Sequence, residues 1–101
     1  MFFKLFNYKQ QADKNKVKVI KKDVKRFKKL CLTEFKKNIK IGVDTSYVDF
    51  CLKVSFAFEE ETSEIVLSEL RKDYTDIGFS FVFRHCNNSY KGIKMVALEK
   101  E

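Results

Sequence analysis

The chain has no proline and no tryptophan, and only three glycines and one histidine among its 101 residues. With proline missing and glycine this sparse, collagen-like, polyproline and flexible-linker compositions are excluded, as is a glycine-rich phosphate loop. A single imidazole, His85, leaves no histidine cluster to hold a metal. No apolar run approaches the roughly 20 residues that a membrane-spanning helix needs. Met1-Phe2-Phe3-Lys4-Leu5-Phe6 starts without a basic leader and runs into polar residues with no small-residue cleavage site, which argues against a secretory signal. The cysteines, Cys31, Cys51 and Cys86, include no C-x-x-C pair. An odd number so spaced is expected as reduced, mostly buried thiols of a cytosolic protein. Cys86 follows His85 directly, and neighbours on a strand point to opposite faces, so the two form no thiolate–imidazole couple. The expectation is a protein that is not an enzyme, with no cofactor, no metal and no small-molecule substrate.

What is present is a core. Hydrophobic residues make up 45% of the chain and aromatics 15%, with eleven phenylalanines, which rules out a mainly disordered protein. No linker of biased composition divides the sequence, so residues 1–101 are expected as one α+β domain. Charge is distributed unevenly. Residues 1–41 hold 14 basic and 3 acidic side chains, net +11, whereas residues 42–101 hold 7 and 11, net −4. A basic segment ahead of a mildly acidic one lets a single face meet a polyanion. A lysine excess spread by genome composition gives the same totals without any partner.

Periodicity divides the chain. Residues 1–8 read as a short first strand and Gln10 to Asn15 as a loop. From about Lys16 to Ile39 the period is helical: at 100° per residue, Val17, Ile20, Val24, Phe27, Cys31 and Phe35 fall within an arc of about 80°. Asp13 or Asn15 is placed to cap this helix, and Gly42 to end it. The Val17-Lys18-Val19 alternation also allows a start as late as Asp23. Tyr47 to Phe58 alternates as a strand with Val48, Phe50, Leu52, Val54, Phe56 and Phe58 on one face. The run Glu59-Glu60-Glu61-Thr62-Ser63 opens a second helix, with Thr62 or Ser63 as cap, an apolar stripe of Val66, Leu67, Leu70, Tyr74 and Ile77, and Gly78 past its end. Phe79 to His85 is a strand with Phe79, Phe81 and Phe83 on one side. Asn87-Asn88-Ser89 is turn chemistry, and Ile93 to Leu98 is the last strand. The order β-α-β-α-β-β implies a two-layer sandwich. Its mixed four-stranded sheet has two helices on one face, a right-handed crossover through the second helix, and a closing antiparallel hairpin.

The basic helix is the leading functional candidate. Lys18, Lys22, Lys25, Arg26, Lys29, Lys36 and Lys37 lie opposite its apolar stripe, where cations spread over several turns can follow a phosphate backbone and release counterions. The expected partner is nucleic acid or an acidic protein surface; a solvated helix face is the plain alternative. Lysine outnumbers arginine 18 to 3, which favours point-charge contacts over bidentate recognition. The competing functional reading is a structural or inhibitory protein–protein interaction module, a virion component or host-factor inhibitor. It would use the sheet's uncovered face, with Tyr47, Cys51, Val82, Val96 and Leu98, or an edge strand, and could form a homo-oligomer.

Two resemblances bear on this. Gly78-Phe79-Ser80-Phe81-Val82-Phe83 is similar to the core of the RNA-recognition-motif signature, which implies bases stacked on its aromatics. Ile77 and Arg84 stand where that signature has a basic and an aromatic residue, and the strand's own alternation places the three phenylalanines beneath the helices instead. In layout, Ser63 to Leu98 resembles the C-terminal part of many small phage-encoded α+β accessory proteins. The residues carrying it are the Leu67/Leu70 helix, the Gly78-Phe79 break, the alternating strand, the Asn87-Asn88-Ser89 turn and Ile93-Lys94-Met95-Val96. The resemblance covers about a third of the chain. It implies a compact viral accessory or virion protein without catalysis, cytoplasmic in the host cell.

Overall fold

A computed structural model describes residues 2–48, 57–85 and 94–101. Its elements, in chain order, are α1 (Phe2–Lys40), β1 (Thr45–Val48), α2 (Glu59–Asp73), β2 (Phe79–His85) and β3 (Lys94–Lys100).

α1 is longer than its apolar stripe. Residues 1–8, expected as a strand, belong to the helix from Phe2 onward, and the expected loop from Gln10 to Asn15 is helical too. The physical reason is twofold. A short apolar run does not distinguish strand from helix by period. In addition, residues 2–40 contain neither glycine nor proline, while Lys, Gln, Ala and Leu are good helix formers. Asp13 and Asn15 therefore sit inside α1 and cap nothing. The C-terminus is as expected. Gly42 takes a left-handed φ of 81°, its N–H donates to the Ile39 carbonyl (3.0 Å), and the Val43 N–H donates to Asn38 (3.0 Å). This pair of bonds satisfies carbonyls that the helix end leaves open.

α2 starts at Glu59, earlier than a Thr62 or Ser63 cap allows. Phe58 occupies the cap position without a side-chain cap bond. The Ser63 hydroxyl donates instead to the Glu60 carbonyl at 2.9 Å. Thr62 is fully buried, with no partner for its hydroxyl among the described residues, an arrangement that costs about 1–3 kcal/mol. Three glutamates in the first turn favour the start electrostatically. α2 ends at Asp73, so Ile77 lies outside its stripe and is exposed. Gly78, with a φ of 81°, turns the chain into β2 rather than ending the helix.

The described strands form a three-stranded antiparallel sheet of order β1-β3-β2. β3 pairs with β1 through Val48↔Val96 and Ser46↔Leu98, and with β2 through Phe83↔Val96 and Phe81↔Leu98. The expected hairpin of the last two strands is present. The expected mixed, four-stranded sheet is corrected: the first strand is helix, and β1 and β2 run the same way but are separated by β3. Val96, Ala97 and Leu98 are all buried, so β3 is covered on both faces and takes the centre, where an unbroken apolar run is most stable. The expected strand from Asp49 to Phe56, the Asn87-Asn88-Ser89 turn, Cys51 and Cys86 lie outside the described residues, whereas Phe58, expected to end that strand, is in a turn at the start of α2.

Both helices pack on one face of this sheet. Val24, Phe27, Cys31 and Phe35 of α1 meet Val66, Leu67 and Leu70 of α2 above Val48, Phe81, Val96 and Leu98. Val96 and Leu98, expected on the uncovered face, therefore belong to the core. Phe81 sits centrally, its ring 6.0 Å from Phe35 and 6.3 Å from Tyr74, with Phe79 and Phe83 half-buried beside it. Those rings are engaged in packing rather than presented for base stacking. α1 overshoots this body: residues 7–19 are exposed on every side, and contact with the core begins at Ile20. The molecule is 60 Å long and 18 Å thick, and a helix of this length spans about 58 Å, so α1 alone sets the long dimension.

Candidate nucleic-acid interface

The geometry of α1 decides where its charge points. With Val24, Phe27, Cys31 and Phe35 fixed against the sheet, the 3.6-residue period turns Lys18, Lys22, Lys25, Arg26, Lys29, Lys36 and Lys37 into an arc of about 120° on the opposite side. All seven are exposed. They span about 29 Å of helix axis at a mean interval of about 5 Å, against about one phosphate per 3.4 Å of axis along a DNA strand. The cations are sparser than the phosphates, so the stripe can neutralise some, not all, of those it spans.

Little of this charge is paired among the described residues. Arg26 has Asp23 at 4.0 Å. Among the described residues, no carboxylate reaches ion-pairing distance of Lys18, Lys22, Lys25, Lys29, Lys36 or Lys37. Lysines that face α2 behave differently. The Lys28 ammonium bonds to Asp73 and, at 3.4 Å, to Glu69, and its pKa is held above the ordinary value, chiefly by the Asp73 bond. Lys16 lies 3.6 Å from Glu61 and 5.0 Å from the centre of the Phe58 ring. The acids of α2 thus engage the lysines at the interhelical seam and, among the described residues, do not reach the six stripe lysines. Sequence reasoning did not separate these two sets. The signal was available in the acidic composition of α2, whose position beside α1 was already expected.

The sheet offers its partner-binding chemistry in a more closed form. On the face turned away from the helices Tyr47 is exposed and Val82 half-buried, while Ala97 between them is 0% exposed. Arg84 bridges this face to Glu99 with two bonds, one of them Nε to Oε2 at 2.8 Å. That pairing raises the Arg84 pKa further, so the guanidinium stays charged. At the outer edge of β2, Arg71 Nε donates to the Phe81 carbonyl at 2.9 Å, occupying an acceptor that an added strand would need. At the end of α1, Asn38 Nδ2 donates to the Ser46 hydroxyl at 2.6 Å, joining the helix to β1.

Among the described residues, reactive groups are not gathered. Cys31 is buried, and desolvation pushes its thiol well above the usual range, so it stays protonated at neutral pH. His85 falls at the last position of β2. Among the described residues, no three His, Cys, Asp or Glu side chains converge as a cation site, and no helix is long and apolar enough to cross a membrane.

No family model, curated protein or solved structure matches this chain. Its own surface chemistry is therefore the guide to its role, and the outer stripe of α1 gathers seven exposed cations on one helix face.

Proposed function

We propose that the protein is a small, non-enzymatic binding protein that docks the phosphate backbone of nucleic acid along the exposed lysine stripe of α1. In this reading it is a two-layer α+β module of the phage or viral accessory type, working in the cytoplasm of a host cell. The observation that carries the proposal is the pairing of two facts. Six stripe lysines have no carboxylate partner among the described residues, and they share one face of the helix over about 29 Å of its axis. Contacts of this kind give affinity with little sequence discrimination. The alternative, docking through the sheet, has less support: Arg84 and Glu99 bridge the open face, and Arg71 occupies the β2 edge.

Fluorescence anisotropy on generic duplex and single-stranded DNA across a salt series tests the proposal. Binding is expected to weaken log-linearly with salt, with a slope of about −5 if six phosphates are neutralised. The triple variant Lys18→Ala, Lys22→Ala, Lys37→Ala is expected to flatten that slope by about 3. Absence of binding at low salt, or an unchanged slope in the triple variant, overturns the reading.

A further inference from the structure

Beside the lysine stripe, a trough of 540 Å³ runs along the junction of α1 and α2. α1 lines it from Ile20 to Lys36, about 24 Å of axis. Its floor is aliphatic: Ile20, Val24 and Leu32 from α1 and Ile65 from α2, the last still 39% exposed. Its rim is cationic, with Lys21, Lys25, Lys29 and Lys36 along one side. Glu69, the one acid in the lining, is already held by Lys28.

Two features specify an occupant. Positive charge recurs along the whole trough instead of gathering at one end, so an amphiphile with a single anionic head would leave most of the rim unanswered. The floor is equally uninformative for a phosphate backbone, which has charge but no apolar edge to bury. A helix with leucine-like side chains every three to four residues and carboxylates on its flanks satisfies floor and rim together.

We propose that the α1–α2 trough is a docking groove for an acidic amphipathic helix of a partner protein. The groove goes beyond the phosphate-binding stripe, with which it shares Lys25, Lys29 and Lys36. Lys21, Leu32 and Ile65 belong to the groove alone, whereas Lys18, Lys22 and Lys37 belong to the stripe alone. Burial of the aliphatic floor supplies grip, and the lysine rim supplies orientation and rate of encounter.

The experiment uses the whole protein and three labelled synthetic helices. The first carries leucine at heptad core positions with glutamate flanks, the second replaces the leucines by serine at the same charge, and the third replaces the glutamates by lysine. Anisotropy titration is expected to show binding of the leucine–glutamate helix, at least about tenfold tighter than either control. Ile65→Asn, at an exposed position that leaves the core intact, is expected to weaken that helix by about tenfold while leaving duplex DNA binding unchanged. The proposal is overturned if the leucine–glutamate helix fails to bind at low salt, if the serine control binds equally well, or if Ile65→Asn binds as the parent does. Helix binding in a protein that shows no affinity for DNA supports the groove and removes the phosphate-binding reading, so the two fail separately.

Discussion

The two halves of α1 are one continuous helix in two different environments. Phe2–Val19 carries five lysines and one aspartate, net +4, and Ile20–Lys40 carries eight lysines and one arginine against two acids, net +7. Both are strongly basic, but only the second has apolar residues recurring every three or four positions over a sheet. Val24, Phe27, Cys31 and Phe35 are buried there, whereas residues 7–19 are all exposed, and Lys16 reaches α2 only through Glu61 and the Phe58 ring. Tertiary burial therefore stabilises the inner half directly. The outer half is helical by propagation from it, since extending an existing helix avoids the unfavourable nucleation step.

The sharpest way to break this contrast is a matched pair of truncations. Phe27→Ala, at a fully buried site, is expected to lower stability by about 3–5 kcal/mol, and Val17→Ala, at an exposed one, by less than about 0.5 kcal/mol. Urea unfolding of both variants measures the difference; equal losses would mean that the outer half packs as the inner half does. A smaller effect is expected from deleting residues 2–15. Circular dichroism should lose roughly a quarter of the helical signal while the unfolding free energy changes by less than about 1 kcal/mol. A collapse of the urea midpoint would show the arm to be part of the cooperative unit.

The smallest effect concerns the seam between the helices. Lys28→Met is expected to lose about 0.5 kcal/mol, because the pair with Asp73 and Glu69 is part-exposed. Its pH dependence has a definite sign. The folded pKa of Lys28 lies above the ordinary 10.5, so the contribution is complete below that value and fades as pH rises through the higher folded one. Parent and variant should therefore differ by a constant amount through neutral pH and converge in the alkaline range. Divergence with rising pH would contradict the assignment.

Much of the inner molecule was legible in the sequence. The α1 stripe from Ile20 to Phe35, the body of α2, the alternation of Phe79, Phe81 and Phe83, and the left-handed glycine at 42 all follow from periodicity and capping chemistry. Residues 9–15 did not, because nothing in a run such as Lys9-Gln10-Gln11-Ala12 reports a helix that buries no face. Strand order was hidden for a different reason: alternation reveals which face is covered but not which strand has neighbours on both sides. The unbroken apolar run Met95-Val96-Ala97-Leu98 was the one available signal that β3 is central. Of the candidate site, all seven cations were readable from helical spacing. The division of labour among lysines was not, since it depends on where α2 places Glu61, Glu69 and Asp73.

The central place of β3 also bears on how the molecule comes into being. Synthesis runs from α1 toward Lys100, so β1 and β2 both leave the ribosome before the strand that joins them, and neither has the other as a neighbour. Until Val96, Ala97 and Leu98 emerge, β1 and β2 lack the strand that joins them, and the greasy side of α1 lacks part of its floor. Assembly must then be a late event in which one arriving segment closes both ladders together, and the interval before it is when the chain is most exposed to mispairing.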